Sequence, residues 1–284
     1  MKEAMYFAET EMSKAIKLLG QLGKKAVILA GGTDLVPKIN YYKLQPEVLV
    51  YIGKLGLDYI QEKNRKLIIG AATSMAKIAA SKLVAKKAGA LAEAARQAGT
   101  AAIRTAATIG GNLANASPAA DLATPLLAMD AELLLRSGKG KRVVALKDFF
   151  RRPGQTVLRP GELIVEVSIP PPAGRTVFLK LGRRKALTLS VVNVAVRLEM
   201  DGHKCQDVRI AMGSVAPTPL RCTRAERLLK GQEVDKALIA QCAAEALAAC
   251  QPVDDQRATA WYRRQAGTVL VARALAQAAG LAEK

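Results

Sequence analysis

Apolar residues along this chain fall in short runs and brief helical stripes rather than in long amphipathic stretches. Across residues 10–20, Met12, Ile16 and Leu19 recur at helical spacing, which predicts a helix capped by Thr10. Residues 26–30 (AVILA) predict a short strand that runs directly into Gly31-Gly32-Thr33-Asp34. Residues 48–52 and 66–69 predict two more. Ser74 opens a helical region. Within it Val84, Ala88, Leu91 and Ala95 share one face of a helix expected to end near Gly99.

Small and polar residues then crowd the segment 108–121, TIGGNLANASPAAD. Its Ser117-Pro118 pair suits a helix start, with serine as cap and proline in the first turn. Thr124-Pro125 repeats the pattern, so a short broken helix is expected, with Asp121 about one turn in. Residues 132–136 and 142–146 bracket Ser137-Gly138-Lys139-Gly140, a hairpin. Residues 163–169 predict a strand. Pro170-Pro171-Pro172-Ala173-Gly174 reads as a linker, because serial prolines cannot continue a ladder. Beyond it, strands are expected at 177–181, 188–199 and 208–212, the last two joined across a turn at Asp201-Gly202. Helix follows from Thr223 to the end, interrupted at 251–254. Strands first and helices after give an α+β pattern. Two domains are expected, 1–172 and 175–284.

Charge and composition narrow the chemistry. The formal net charge is +19, which invites a nucleic-acid partner. The cations are dispersed, however, and no motif interleaves them with stacking aromatics, so no nucleic-acid partner is expected. The four cysteines, Cys205, Cys222, Cys242 and Cys250, include no C-x-x-C pair and are expected to be reduced, half-buried thiols. The one histidine, His203, sits in a predicted turn, which disfavours histidine acid–base chemistry and metal binding. No catalytic and no metal-ligating residues are expected. The N-terminal stretch carries both signs of charge and resembles no targeting segment. No run approaches the ~20 apolar residues of a membrane span, so a cytoplasmic protein without one is expected.

Two Gly-Gly segments carry the candidate chemistry. Glycine allows close approach to the backbone, and successive exposed N–H groups make a concavity for anions. Thr33, Thr108 and Asn112 add side-chain donors, and neither segment contains a lysine or arginine. Neither fits G-x-x-x-x-G-K-[ST] or G-x-G-x-x-G. Taken singly, each could be an ordinary tight turn. Two in one domain point to a ligand with two phosphates.

LAGGTDLVPKI and TIGGNLANASPAADLATPLLAMDAELLL resemble the two flavin-binding signatures of the FAD-binding subunit of molybdenum hydroxylases, of xanthine dehydrogenase and carbon monoxide dehydrogenase type. The resemblance extends through Asp148-Phe149-Phe150, Gly161-Glu162-Leu163-Ile164, Phe178, Lys180, Arg183, residues 211–217, Arg221, Glu226 and Tyr262-Arg263-Arg264. It implies a two-part FAD-binding domain of the PCMH type, its α/β lobes divided near residue 55. A C-terminal domain with a small antiparallel sheet and a helical bundle would follow. Leu29-Ala30-Gly31-Gly32-Thr33-Asp34-Leu35-Val36 would cradle FAD, with the 31–33 amides at its pyrophosphate. Thr108-Ile109-Gly110-Gly111-Asn112 would form the second side, and Ser117 belongs to the same signature. Asp121 would hydrogen-bond polar groups of the cofactor, and Ile164 and Lys180 would lie near the isoalloxazine. Lys180 could otherwise be a solvated strand residue. Arg104 could reach a phosphate or hold its loop. Ala102 and Thr105 depart from the family pattern.

The implied function is electron transfer. FAD would take electrons from a separate 2Fe–2S subunit and pass them to NAD or another acceptor, while a molybdenum-cofactor subunit hydroxylates the substrate. A xanthine dehydrogenase-like complex is expected, with carbon monoxide, nicotinate or another heterocycle as alternative substrates. A non-redox nucleotide-binding module and a nucleic-acid-binding module are the rivals of another class.

Overall fold

The computed structural model describes residues 4–41, 43–171, 173–184 and 187–281. Pro172 of the expected linker lies outside them. The chain forms three main sheets, each with its own helices. The first contains β1 (Met5–Phe7), β2 (Ala26–Leu29) and β3 (Val48–Tyr51) in the order β1-β3-β2, all parallel. Helix α1 (Met12–Leu22) joins β1 to β2, and α2 (Leu35–Asn40) joins β2 to β3. The apolar face of α1, Ala15, Ile16 and Leu19, is buried against Val48, Val50 and Ile52. Its cap position is Glu11, not Thr10, and no side chain caps it.

The second sheet contains β4 (Ile60–Lys63), β5 (Lys66–Gly70), β6 (Glu132–Ser137), β7 (Gly140–Ala145) and β10 (Leu163–Ile169). Its order is β4-β5-β10-β6-β7, antiparallel throughout, so the last strand in sequence is central. A two-stranded ribbon, β8 (Phe150–Arg152) with β9 (Gln155–Thr156), stands apart. Between β5 and β6 run six short helices: α3 (Met75–Ala80), α4 (Lys82–Lys87), α5 (Gly89–Gln97), α6 (Ala101–Ala106), α7 (Ile109–Ala114) and α8 (Ala123–Ala128).

That region differs from the single helix expected to carry Val84 through Ala95. All four residues of the stripe are buried, but on separate pieces. The Ser81 hydroxyl accepts from the Val84 amide at 3.3 Å and restarts the chain as α4. Ala88, at φ −149° and ψ 58°, breaks it again before Gly89. Ser117-Pro118 does not start a helix either. Ala116 has φ +47°, and the segment is pinned from two sides, by Gly154 N–H to the Ala116 carbonyl and Ser214 N–H to the Pro118 carbonyl. The Ser117 hydroxyl caps only a turn, accepting from Ala119 N–H at 3.2 Å. The helix that follows is capped at Leu122, so Thr124 and Pro125 lie inside α8 and Asp121 precedes it.

The third sheet, β11 (Arg175–Leu181), β12 (Val192–Asp201), β13 (Lys204–Gly213) and β14 (Leu220–Arg221), is an antiparallel meander with Gly202 and His203 in its turn. It is followed by α9 (Thr223–Leu229), α10 (Lys236–Ala248) and α11 (Ala260–Ala279), so the helical part breaks at 230–235 as well as before α11. One face of this sheet packs on α9, α10 and α11 through Val194, Val196, Ile210 and Met212. The other face gives Phe178, Ala195 and Ala211 to the core of the second sheet. Covering on both faces explains why residues 192–198 are buried without alternation. The four cysteines are fully rather than half buried in this core, and none is bonded to another.

Candidate functional site

The two glycine segments meet. After β2 the chain turns through Gly31, Gly32 (φ +71°), Thr33 and Asp34 into α2. A Cβ on Gly31 would stand 1.7 Å from the carbonyl oxygen of Ala106, at the entrance to the second segment. Only glycine permits that approach. Among the described residues, none accepts a hydrogen bond from the amides of Gly31, Gly32, Thr33, Asp34 or Leu35. Five successive free donors in a concave stretch favour an anion.

The second segment is not a loop of exposed amides. Thr108 caps α7, its hydroxyl accepting from Gly111 N–H at 3.1 Å. Ile109, Gly110 and Asn112 donate to the carbonyls of Thr73, Ala71 and Thr108. Gly110 is glycine for packing, since a Cβ there would lie 2.7 Å from the Ala71 carbonyl oxygen. From Ile109 to Asn112 the segment therefore offers shape and side chains instead of main-chain donors. Asn112 Oδ1 is buried and has no partner, an acceptor left over for a ligand hydroxyl or amine.

Between the segments lies a cavity of about 380 Å³, open to solvent on one side. Such a volume suits part of an extended ligand whose remainder lies in solvent. Ala30, Gly31, Gly32, Thr33, Asp34 and Leu35 line one wall, and Thr108, Gly110, Gly111 and Asn112 the other. Ile28, Ile52, Leu163 and Ile164 supply apolar surface. A register shift between Ile164 and Glu166 marks a bulge, and the displaced Val165 carbonyl accepts from Ala71 N–H at 2.9 Å. The turn before Leu163 is fixed by Glu162, which takes Arg142 in a two-pronged pair, both at 2.7 Å, and the Arg159 amide. The Arg142 hydrogen bond, working against burial, holds the Glu162 carboxyl below its usual range.

Asp121 also lines the cavity, but both its oxygens have protein partners. Oδ2 accepts from Lys180 Nζ at 2.6 Å, and Oδ1 from Ser190 Oγ at 2.6 Å and Asn193 Nδ2 at 3.3 Å. Lys180 is thus no solvated strand residue. Its side chain is 3% exposed and also donates to the Gln97 carbonyl at 3.0 Å. Behind this network Arg263, fully buried, donates to the Val191 and Ser214 carbonyls and to Asp255. Arg257 binds the same Asp255 and reaches the Ser190 carbonyl. Arg263, of the C-terminal part of the resemblance, and Arg257 hold the Asp121 wall from behind.

Twelve of the predicted residues line the cavity, and five do not. Leu29 ends β2, Val36 is largely exposed, and Ile109 is buried in the second core. Ser117 caps its turn, and Lys180 stands behind Asp121. Arg104 holds its loop, donating to the Ala98 and Gly99 carbonyls at 3.2 and 3.1 Å. Ala102 and Thr105 are exposed and do not line the cavity. Sequence reasoning missed Lys38 and Asn115, whose side chains meet at 2.7 Å across the mouth. It also missed Met75, Gly99, Ile103 and Leu189. A cation one helical turn after the first segment was a signal available for Lys38; nothing in the sequence singled out the others.

Comparison with known proteins bears on this geometry. The family model described as FAD binding domain in molybdopterin dehydrogenase matches residues 2–172. That described as CO dehydrogenase flavoprotein C-terminal domain matches residues 177–278. The chain is 30% identical to the glyceraldehyde dehydrogenase medium chain of Sulfolobus acidocaldarius, over 98% of this chain and 99% of the relative. It is 35% identical to the 6-hydroxypseudooxynicotine dehydrogenase complex subunit alpha of Paenarthrobacter nicotinovorans, over 96% and 93%. Among solved structures, a chain of carbon monoxide dehydrogenase from Hydrogenophaga pseudoflava superposes with a TM-score of 0.95 at 33% identity, covering 99% of each.

Proposed function

The chain belongs to the FAD-binding subunits of molybdenum-containing dehydrogenases, and from that premise we propose that it is the electron-transfer member of a three-subunit hydroxylase. A 2Fe–2S subunit and a molybdenum-cofactor subunit would be its partners, and NAD or another acceptor would take the electrons. When bound, FAD supplies the redox chemistry, accepting and releasing electrons singly or in pairs.

The observation that carries this is the meeting of the two glycine segments around one cavity. The residues present fit the cofactor. The free amides of residues 31–35 suit its pyrophosphate, the unpartnered Asn112 Oδ1 suits a sugar hydroxyl or ring amine, and Ile164 and Leu163 offer apolar surface for a ring. Asp121, held by three side chains, would present a fixed carboxylate edge at the cavity wall. Lys180 would act on the ring only as half of a neutral pair, so its part is to fix the wall. Substrate choice is assigned to the molybdenum subunit. Relatives of comparable identity are named for an aldehyde and for a nicotine derivative, so one flavoprotein architecture serves several substrates. The xanthine dehydrogenase-like complex expected from sequence is one member of that range.

Spectroscopy on the purified chain tests the proposal. Titration with FAD should give a stoichiometric bound-flavin spectrum, and a chain that takes up none refutes it. Anaerobic NADH then separates acceptors. Bleaching of the bound flavin supports NAD; bleaching by dithionite alone assigns the electrons to another acceptor.

A further inference from the structure

A diphosphate brings negative charge into the cavity, and the free amides of residues 31–35 are neutral donors. Counter-charge has few sources here. Arg104 does not line the cavity and turns its guanidinium to the Ala98 and Gly99 carbonyls, and Lys180 is paired with Asp121. Arg142 is paired with Glu162. Among the described residues lining the cavity, Lys38 is the one cation. It stands on α2, directly after the free amides. Its ammonium donates to Asn115 Oδ1 at 2.7 Å, on the far side of the mouth. Among the described residues this is also the one side-chain hydrogen bond between residues 4–52 and the rest of the chain. An ammonium carries three donors, and Asn115 uses one.

We infer that Lys38 is a cofactor-binding residue: its ammonium supplies the counter-charge for the FAD diphosphate, and Asn115 holds it in position over the cavity. The inference rests on the FAD-binding proposal above. It divides the anion site between two kinds of donor. The main chain of residues 31–35 supplies direction, and Lys38 supplies charge. It also means that the ligand adds a bond where the first lobe is tied to the second. Lys38 is exposed, so solvent screens its contribution, and removing it should weaken FAD binding by about fivefold rather than abolish it.

The test uses the full chain stripped of flavin, with FAD affinity read from flavin fluorescence at about 50 and about 500 mM salt, where screening differs strongly. Lys38→Met should lose about fivefold in affinity at the lower salt and show a shallower salt dependence than wild type. Lys38→Arg should stay within about twofold, because charge and reach are kept. Asn115→Ala should lose less than Lys38→Met, since the charge remains. Unchanged thermal midpoints establish that each variant is folded. Lys38→Met with wild-type affinity and salt dependence overturns the inference and leaves the FAD proposal standing. An Asn115→Ala loss equal to that of Lys38→Met also overturns it, assigning the effect to the tie between lobes. A wild-type chain that takes up no FAD removes the FAD proposal and this inference together.

Discussion

Gly31→Ala is the most discriminating perturbation of the cavity. Gly31 is not in the left-handed region, so alanine meets no backbone penalty of its own. The whole effect comes from the added carbon, 1.7 Å from the Ala106 carbonyl oxygen and 2.5 Å from its carbon. Ordinary contact needs more than 3 Å, so the two backbones have to part by roughly 1.5 Å. Both are main chain and neither can rotate away, which puts the cost at the upper end of overpacking, about 2–3 kcal/mol. Where that cost appears is the informative part. Without ligand the segments can separate towards the open cavity, so the thermal midpoint should fall by only a few degrees. FAD binding needs both walls together, so affinity should fall about thirty- to a hundredfold. Gly32→Ala is the control, since its nearest neighbour is the Val36 side chain at 3.0 Å and its cost is mainly the φ of +71°. Fluorescence titration of both variants measures the difference. Gly31→Ala binding FAD within about threefold of wild type would refute the close-approach reasoning.

Three other outcomes are expected. Lys180→Met leaves the Asp121 carboxylate buried without its cation and should destabilise the fold by about 3 kcal/mol in urea unfolding, the Ser190 and Asn193 hydrogen bonds keeping the loss at the low end; a loss under about 1 kcal/mol would show that the pair does not hold the wall. Glu162, Asp255 and Asp130 are all depressed: Glu162 and Asp255 by hydrogen bonds from Arg142 and Arg257, Asp130 against its own burial by Arg221, Arg209 and Arg197. Such groups bind fewer protons folded than unfolded, so their stabilisation is full above the ordinary carboxylate pKa of about 4 and is lost as pH falls below it; the thermal midpoint should drop in that window, and Arg142→Met should drop less. Burial pushes the Cys205, Cys242 and Cys250 thiols up to about 11, and Cys222 further, so a thiol-specific disulfide reagent at pH 8 should titrate none in the folded chain and all four in denaturant.

Local patterns were legible where the physics is local. The run 26–30 ended in glycines and became β2 with its turn, and both predicted hairpins, β6–β7 and β12–β13, formed around their small polar turns. What failed depended on residues far away in sequence. Nothing in residues 163–169 says that they fill the gap between β5 and β6, because that pairing closes only after the intervening chain has folded. Ser117-Pro118 has sound helix-start chemistry, overridden by bonds from Gly154 and Ser214. The stripe from Val84 to Ala95 was correctly apolar yet misjudged in continuity, because Ser81 is a better cap than an interior helix residue. At the site, residue types were readable and their partners were not. Lys180 could be numbered as important, but its engagement with Asp121 needed β11 to be packed against the segment before α8.

The absence of a dinucleotide fingerprint from a dinucleotide-binding chain has a structural cause. β2, α2 and β3 form a parallel crossover unit, and its glycine turn sits at the carboxyl end of β2, where open α/β sheets commonly place ligands. In the fingerprint, one glycine turn and one following helix supply both the direction and the close packing. Here those duties are split between lobes. Residues 31–35 keep five amides free, while Ile109, Gly110, Gly111 and Asn112 spend theirs on Thr73, Ala71 and Thr108. Gly31 and Gly110 are alike in one respect, since each lacks a Cβ because a carbonyl oxygen of another segment stands there. Their shared function is to let three stretches of backbone, near residues 31, 71 and 106, converge on one point. A spacing rule within a single segment cannot register such a convergence, because the spacing that matters lies between residues some forty to seventy-five positions apart.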